Sequence, residues 1–208
     1  MSPQSDGDTG QMHRRLTSAV ARAAIVVGCF VAILWVVQIG ESAAGYPLLR
    51  FGIEPRSVGK LQDIVFAPFV HVSYHHLLGN TLPLVILGFF VALRGIQCFL
   101  LITGLIVIVS GLGVWLTAPS GSDTVGASGV IFGYFGFLIA RGIVERRVRD
   151  LLIGAVVGLL YWSILSETLP GPRGISWQGH LFGLVGGVLA AWVFRARHPS
   201  PRRGGAAG

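Results

Sequence analysis

Six long apolar segments, separated by short polar connections, constrain this chain more than any other feature. They run from Ala23 to roughly Gly40 and over about 75–93, 96–117, 127–140, 150–166 and 177–194. Most approach the length of about 20 residues that carries a helix across a hydrocarbon core. Lipid offers no partners for backbone N–H and C=O groups, so segments of this kind satisfy them internally as helices. The predicted fold class is an all-α membrane protein, a bundle of six transmembrane helices. Composition agrees: 52% of the 208 residues are hydrophobic, only 12% are charged, and mean hydropathy is +0.70. A soluble domain carries about a quarter charged residues, so that class is excluded.

Residues 1–15 are polar and read as a disordered cytoplasmic tail, residues 16–195 as the membrane domain, and 196–208 as a second, basic cytoplasmic tail. The first apolar run is long for the core of a signal peptide and no A-x-A cleavage site follows it, so it reads as a retained span. Residues 41–74 interleave charges with Tyr46, Leu48, Leu49, Phe51, Val65, Phe66 and Phe69, the pattern of an interfacial segment lying partly in the bilayer. The net charge of +7 raises the question of nucleic acid, but its placement argues for a membrane. Twelve of the 16 Lys and Arg residues fall in one set of loops and tails, and the other set holds only Arg50, Arg56, Lys60 and Arg173. Basic residues mark the cytoplasmic side, so both termini are expected there, in a multi-pass cell-membrane protein. Cys29 and Cys98 have neither disulfide nor metal-finger spacing.

With that orientation, spans two, four and six run from outside to inside. Polar groups stand near the start of each: His76 and Asn80, Ser128, and His180. All four therefore lie toward the external face. From Ala127 to Ala140 is 14 residues, about 21 Å of helix, against a hydrocarbon thickness of about 30 Å. If Arg141 marks the inner boundary, the fourth helix is short and Ser128 lies sunken below the outer surface. Irregular backbone at that depth must line a wet cavity or be buried in protein, and a wet cavity is what hydrolysis within a membrane requires.

Ser128 lies in Gly126-Ala127-Ser128-Gly129. Gly126 permits backbone angles and close approaches that other residues do not. Gly129, Gly133 and Gly136 continue at helical spacing, as do Gly179, Gly183 and Gly187 around His180. Such small-residue faces let two helices approach closely enough for a hydroxyl and an imidazole to meet. His180 then acts as general base toward Ser128 and as general acid toward the leaving amine. His76 and Asn80, four apart, share a helix face, and their N–H groups suit an oxyanion hole with the Ser128 backbone N–H. Pro83 is expected to bend this span.

His71, His75 and His76 invite a metal reading, but no carboxylate or thiolate accompanies them on that segment and no H-E-x-x-H occurs. Neither a metal nor any other cofactor is expected. No acidic residue is placed to orient His180, since Asp123 lies in a loop, so a Ser–His dyad is expected rather than a triad.

His76-Leu77-Leu78-Gly79-Asn80, Gly126-Ala127-Ser128-Gly129 and Gly179-His180-Leu181-Phe182-Gly183, each opening an even-numbered span, resemble the rhomboid intramembrane serine proteases. The resemblance covers about residues 20–195. It implies a Ser128/His180 dyad, with His76, Asn80 and the Ser128 backbone N–H as oxyanion hole, acting on single-span membrane proteins in the lipid bilayer. His71 matches a histidine often seen in that family. Phe132 falls where many members carry a tyrosine against the catalytic imidazole, keeping the stacking surface without the hydroxyl. The Trp-Arg pair of the first external loop in some members is replaced here by Leu49-Arg50-Phe51 and Pro55-Arg56. The alternative is a catalytically silent rhomboid-like protein that binds transmembrane clients, and the intact Ser128/His180 pair argues against it. A transporter would show paired midplane breaks in inverted repeats, and none is visible.

Overall fold

The computed structural model describes residues 4–146, 148–170 and 176–195, so the basic tail at 196–208 lies outside the described residues. The longer helices are α1 (Gln4–Ala43), α3 (Tyr74–Ala92), α4 (Ile96–Thr117), α5 (Ser128–Glu145), α6 (Val148–Tyr161) and α7 (Trp177–Val193); α2 (Asp63–Phe66) is a single turn. Four stretches are long and apolar enough to cross a membrane: 16–43, 74–92, 96–117 and 128–145. All regular elements among the described residues are helical, beside one isolated antiparallel bridge between Ile53 and Thr124.

Two helix boundaries differ from those read in the sequence. α1 already begins at Gln4, inside the stretch read as a tail. Extending an existing helix adds a hydrogen bond for each residue ordered, so a polar segment can continue an apolar one. α5 runs past Arg141 to Glu145. Arg141 does not end it because its charge is matched from another helix: Arg141 Nη2 lies 3.2 Å from Asp150 Oδ1 on α6. Nearby, Arg94 Nη1 is 3.5 Å from Glu145 Oε1 and Nη2 donates to the Phe194 carbonyl at 3.1 Å. These buried pairs fasten the ends of α3, α5, α6 and α7 together.

α5 is the central helix. Val130, Tyr134, Phe135 and Phe137 are all at most 1% exposed, whereas α1 presents Ile25, Ile33, Val36 and Ile39 outward. Outward apolar groups of that size on a bundle suit a lipid environment and would be a liability in water.

The contact between α5 and α7 depends on glycine. A Cβ on Gly183 would collide with the Gly129 carbonyl, and one on Gly187 with the Gly133 carbonyl. In return, a Cβ on Gly136 would lie 2.6 Å from the Leu184 carbonyl oxygen. The obstacles are backbone atoms, which cannot rotate aside. Gly187→Ala is therefore expected to destabilise the fold by about 1–3 kcal/mol or more, as overpacking does. Gly104→Ala on α4, where a Cβ meets nothing within 4 Å, is the control. Thermal unfolding in detergent checks this, and an unchanged midpoint for Gly187→Ala would show that the helices do not pack through that face.

Candidate active site

Ser128 is the first residue of α5, preceded by Ala127 as N-cap with no side-chain cap. The first N–H groups of a helix have no intrahelical acceptor, so the Ser128 N–H is free to serve another oxygen. The positive end of the helix dipole adds to the attraction for an anion there. His180 stands in the first turn of α7, whose start is capped by Ser176 Oγ accepting from Gly179 N at 3.3 Å.

The close α5–α7 contact brings Ser128 Oγ to 2.9 Å from His180 Nε2. On the other side of the ring, Nδ1 lies 3.1 Å from the Glu167 backbone carbonyl oxygen. A carbonyl only accepts, so the proton sits on Nδ1. Nε2 is then an acceptor, and the Ser128 hydroxyl donates to it. Phe132 lies flat on the imidazole, with ring centroids 4.1 Å apart and planes at 8°. The ring is thus held at both nitrogens and on one face, in the tautomer a general base needs.

The expectation that no acidic residue approaches His180 is corrected by the structure. The Glu167 carboxylate, Oε2, is 3.7 Å from Nδ1. After α6 ends at Tyr161, the 3₁₀ segment Trp162–Thr168 returns to the start of α7 and carries Glu167 with it. The signal was available only as a carboxylate shortly before the histidine span, in a stretch with no helical periodicity.

His76 and Asn80 lie on α3, whose start is capped by Ser73 Oγ accepting from His76 N at 3.2 Å. Both line one cavity of about 730 Å³ with Ser128 and His180. Asn80 is 7% exposed, and its Nδ2 has no hydrogen-bond partner among the described residues; the same holds for His76 Nδ1. Buried donors without acceptors are costly, and such orphans in a polar cavity mark a place where an acceptor is to arrive. His75 and Asp123 line the same cavity. Among the described residues no group of His, Cys, Asp and Glu is arranged to hold a metal ion.

The loop before Ser128 is tied down at three points. Ile53 N donates to the Thr124 carbonyl at 2.9 Å, and Gly126 N to the Ala67 carbonyl at 2.9 Å. Ala127 N donates to His71 Nε2 at 3.3 Å. His71 is fully buried, and burial, reinforced by His76 beside it, pushes its imidazole down to about 4, so it stays the neutral acceptor this bond needs. Gly126 has φ +115°, and a Cβ there would lie 2.6 Å from His76 Cε1. Only glycine admits both that backbone and that approach. Arg56, in the first long loop, donates to the Ala118 carbonyl at 2.9 Å and to Ser120 Oγ at 2.7 Å, joining that loop to the segment after α4.

Sequence reasoning missed Ser110 on α4. Its Oγ donates to the Gly179 carbonyl at 2.8 Å and fills the space beside Gly129, so it links the helix of the serine to that of the histidine. A lone serine in an apolar helix gives no distinguishing signal.

Residues 58–197 match the family described as the Rhomboid domain. An uncharacterized protein of Mycobacterium tuberculosis is 40% identical over 201 residues, covering 90% of this chain and 84% of that protein. An uncharacterized protein of Mycobacterium leprae is 36% identical over 194 residues, covering 89% of this chain and 76% of that protein. A Bacillus subtilis protein named "Putative rhomboid protease YdcA" is 32% identical over 143 residues, covering 65% of this chain and 68% of that protein.

Proposed function

The chain belongs to the rhomboid family, and we propose that it is an intramembrane serine endopeptidase cleaving single-span membrane proteins in or near their transmembrane segments. The observation that carries this reading is the hydrogen bond between Ser128 Oγ and His180 Nε2, 2.9 Å long, at the edge of a cavity lined by His76 and Asn80, each with a buried nitrogen that has no partner among the described residues. A client-binding protein has no use for that combination. In this reading α6 and α7 complete a six-span bundle with the four longer helices.

Ser128 Oγ attacks the scissile carbonyl carbon as its proton passes to His180 Nε2. The carbonyl oxygen becomes an oxyanion, which accepts from the Ser128 backbone N–H, Asn80 Nδ2 and the imidazole N–H of His76. Collapse breaks the C–N bond, the proton on Nε2 goes to the leaving amine, and an acyl-enzyme remains on Ser128. Water from the cavity then attacks the ester carbon as its proton goes to His180; the C–Oγ bond breaks, Nε2 returns that proton to Ser128 Oγ, and the second product leaves as a carboxylic acid. No metal or cofactor enters these steps. The test is cleavage of a single-span substrate by the purified protein in liposomes, with product formed by wild type and not by Ser128→Ala.

We read the site as external and both termini as cytoplasmic, from the distribution of Lys and Arg. Cysteines introduced at Lys60, whose side chain is 41% exposed, and at the exposed Arg149 are expected to separate under an impermeant thiol reagent on intact cells, with Cys29 and Cys98 replaced. Position 60 should label and position 149 should not; the reverse pattern would invert the orientation.

A further inference from the structure

His180 is gripped on the side away from Ser128 by a residue that a serine–histidine pair leaves unexplained. Two acceptors of Glu167 converge on one nitrogen: the backbone carbonyl at 3.1 Å from Nδ1 and the carboxylate Oε2 at 3.7 Å. Resting on the protease reading, we propose that Glu167 is a positioning residue for His180: its carbonyl fixes the Nδ1 proton, and its carboxylate stabilises the imidazolium formed when Nε2 takes the Ser128 proton.

The two parts act at different moments. The carbonyl bond exists in the resting site and selects the tautomer. The carboxylate, at 3.7 Å, makes no hydrogen bond in this state. It matters once Nε2 has accepted the proton from Ser128, while Oγ bonds to the scissile carbon and the ring carries a full positive charge. That charge is gone again when Nε2 gives its proton to the leaving nitrogen and the C–N bond breaks. An interaction present only in between lowers the barrier without tightening substrate binding.

The surroundings favour this assignment. The titratable groups lining the cavity with His180 are His75, His76, Asp123 and Glu167. Glu167 is the carboxylate within ion-pair distance of the ring among the described residues. Its side chain is 45% exposed against 6% for His180, so the carboxylate reaches water while the imidazole does not. The exposure also makes the effect modest, because solvent screens part of it.

The experiment compares wild type with Glu167→Gln, Glu167→Ala and Glu167→Asp in detergent between about pH 5 and 9. It measures turnover of a transmembrane substrate and attachment of a fluorophosphonate to Ser128. All variants keep the backbone carbonyl, and the side chain they replace is 45% exposed. Glu167→Gln is expected to lower kcat by about threefold to tenfold with KM and unfolding midpoint unchanged. Without the carboxylate the imidazolium is less favoured, so the acid limb of the pH–rate profile moves to lower pH, by about half a unit. Glu167→Asp should restore part of the rate, and high salt should shrink the difference. Should Glu167→Gln match wild type in kcat and acid limb, or change only KM or the midpoint, the proposal is overturned while the protease reading stands. Absence of both turnover and probe attachment in wild type overturns the protease reading and this proposal with it.

Discussion

Replacing Ser128 by alanine is expected to lower cleavage of a reconstituted transmembrane substrate by roughly 10⁴–10⁶-fold, and His180→Ala by a similar factor. The two groups act as a unit, joined at 2.9 Å, so the double variant should be little slower than either single one. Ser128→Ala removes one oxygen at the cavity edge and leaves the α5–α7 glycine contact intact, so its unfolding midpoint should stay near wild type. His180→Ala removes a ring stacked on Phe132 and should cost some stability as well as activity. Measuring both quantities on one detergent preparation separates the two losses. Substantial cleavage by purified Ser128→Ala would remove the nucleophile assignment.

Asn80→Ala is expected to slow turnover by about 10²–10³-fold, as loss of a single oxyanion donor does elsewhere. The alternative is that Asn80 holds helices together. An amide doing so would have its donor paired, yet the buried Nδ2 has no partner among the described residues, and Asn80 lines the same cavity as Ser128. Removing it should therefore leave the unfolding midpoint nearly unchanged. Attachment of a serine-directed probe should be slowed but not abolished, because His76 and the Ser128 N–H remain. Full specific activity with a midpoint lowered by roughly 1–2 kcal/mol would make Asn80 an interhelical bond instead.

The convergence of Ser128 and His180 was legible because two independent patterns coincided. Polar groups stood at the starts of alternate apolar segments, and glycines repeated at helical spacing beside the serine and the histidine. Both are local signals, and the structure places the collisions of a Cβ on Gly183 and Gly187 on the α5 backbone. Phe132 was legible only through the family resemblance, which sets an aromatic ring against the catalytic imidazole at that position. Glu167 and Ser110 were not, since each meets its partner only through the folded chain and sits in a stretch without polar periodicity. Arg141 misled for a related reason. Read alone it is a boundary charge, but with Asp150 opposite it becomes an interior pair, and α5 continues to Glu145. The span count is also less evident in three dimensions than in hydropathy. α6 is 14 residues and α7 is 17, both shorter than the four stretches that meet the length for crossing.

The most direct measurement is attachment of an activated phosphonate to the folded protein in detergent, located by mass spectrometry of the digested chain. Phosphonates react with a serine only when a neighbouring base activates it and donors receive the developing charge, so the reaction reads Ser128, His180 and the oxyanion donors together. One adduct per molecule on Ser128, not formed when the protein is heat-unfolded beforehand and strongly slowed in His180→Ala, is the expected result. No adduct on folded wild-type protein, or an adduct elsewhere while Ser128→Ala continues to cleave, would contradict a serine protease centred on Ser128.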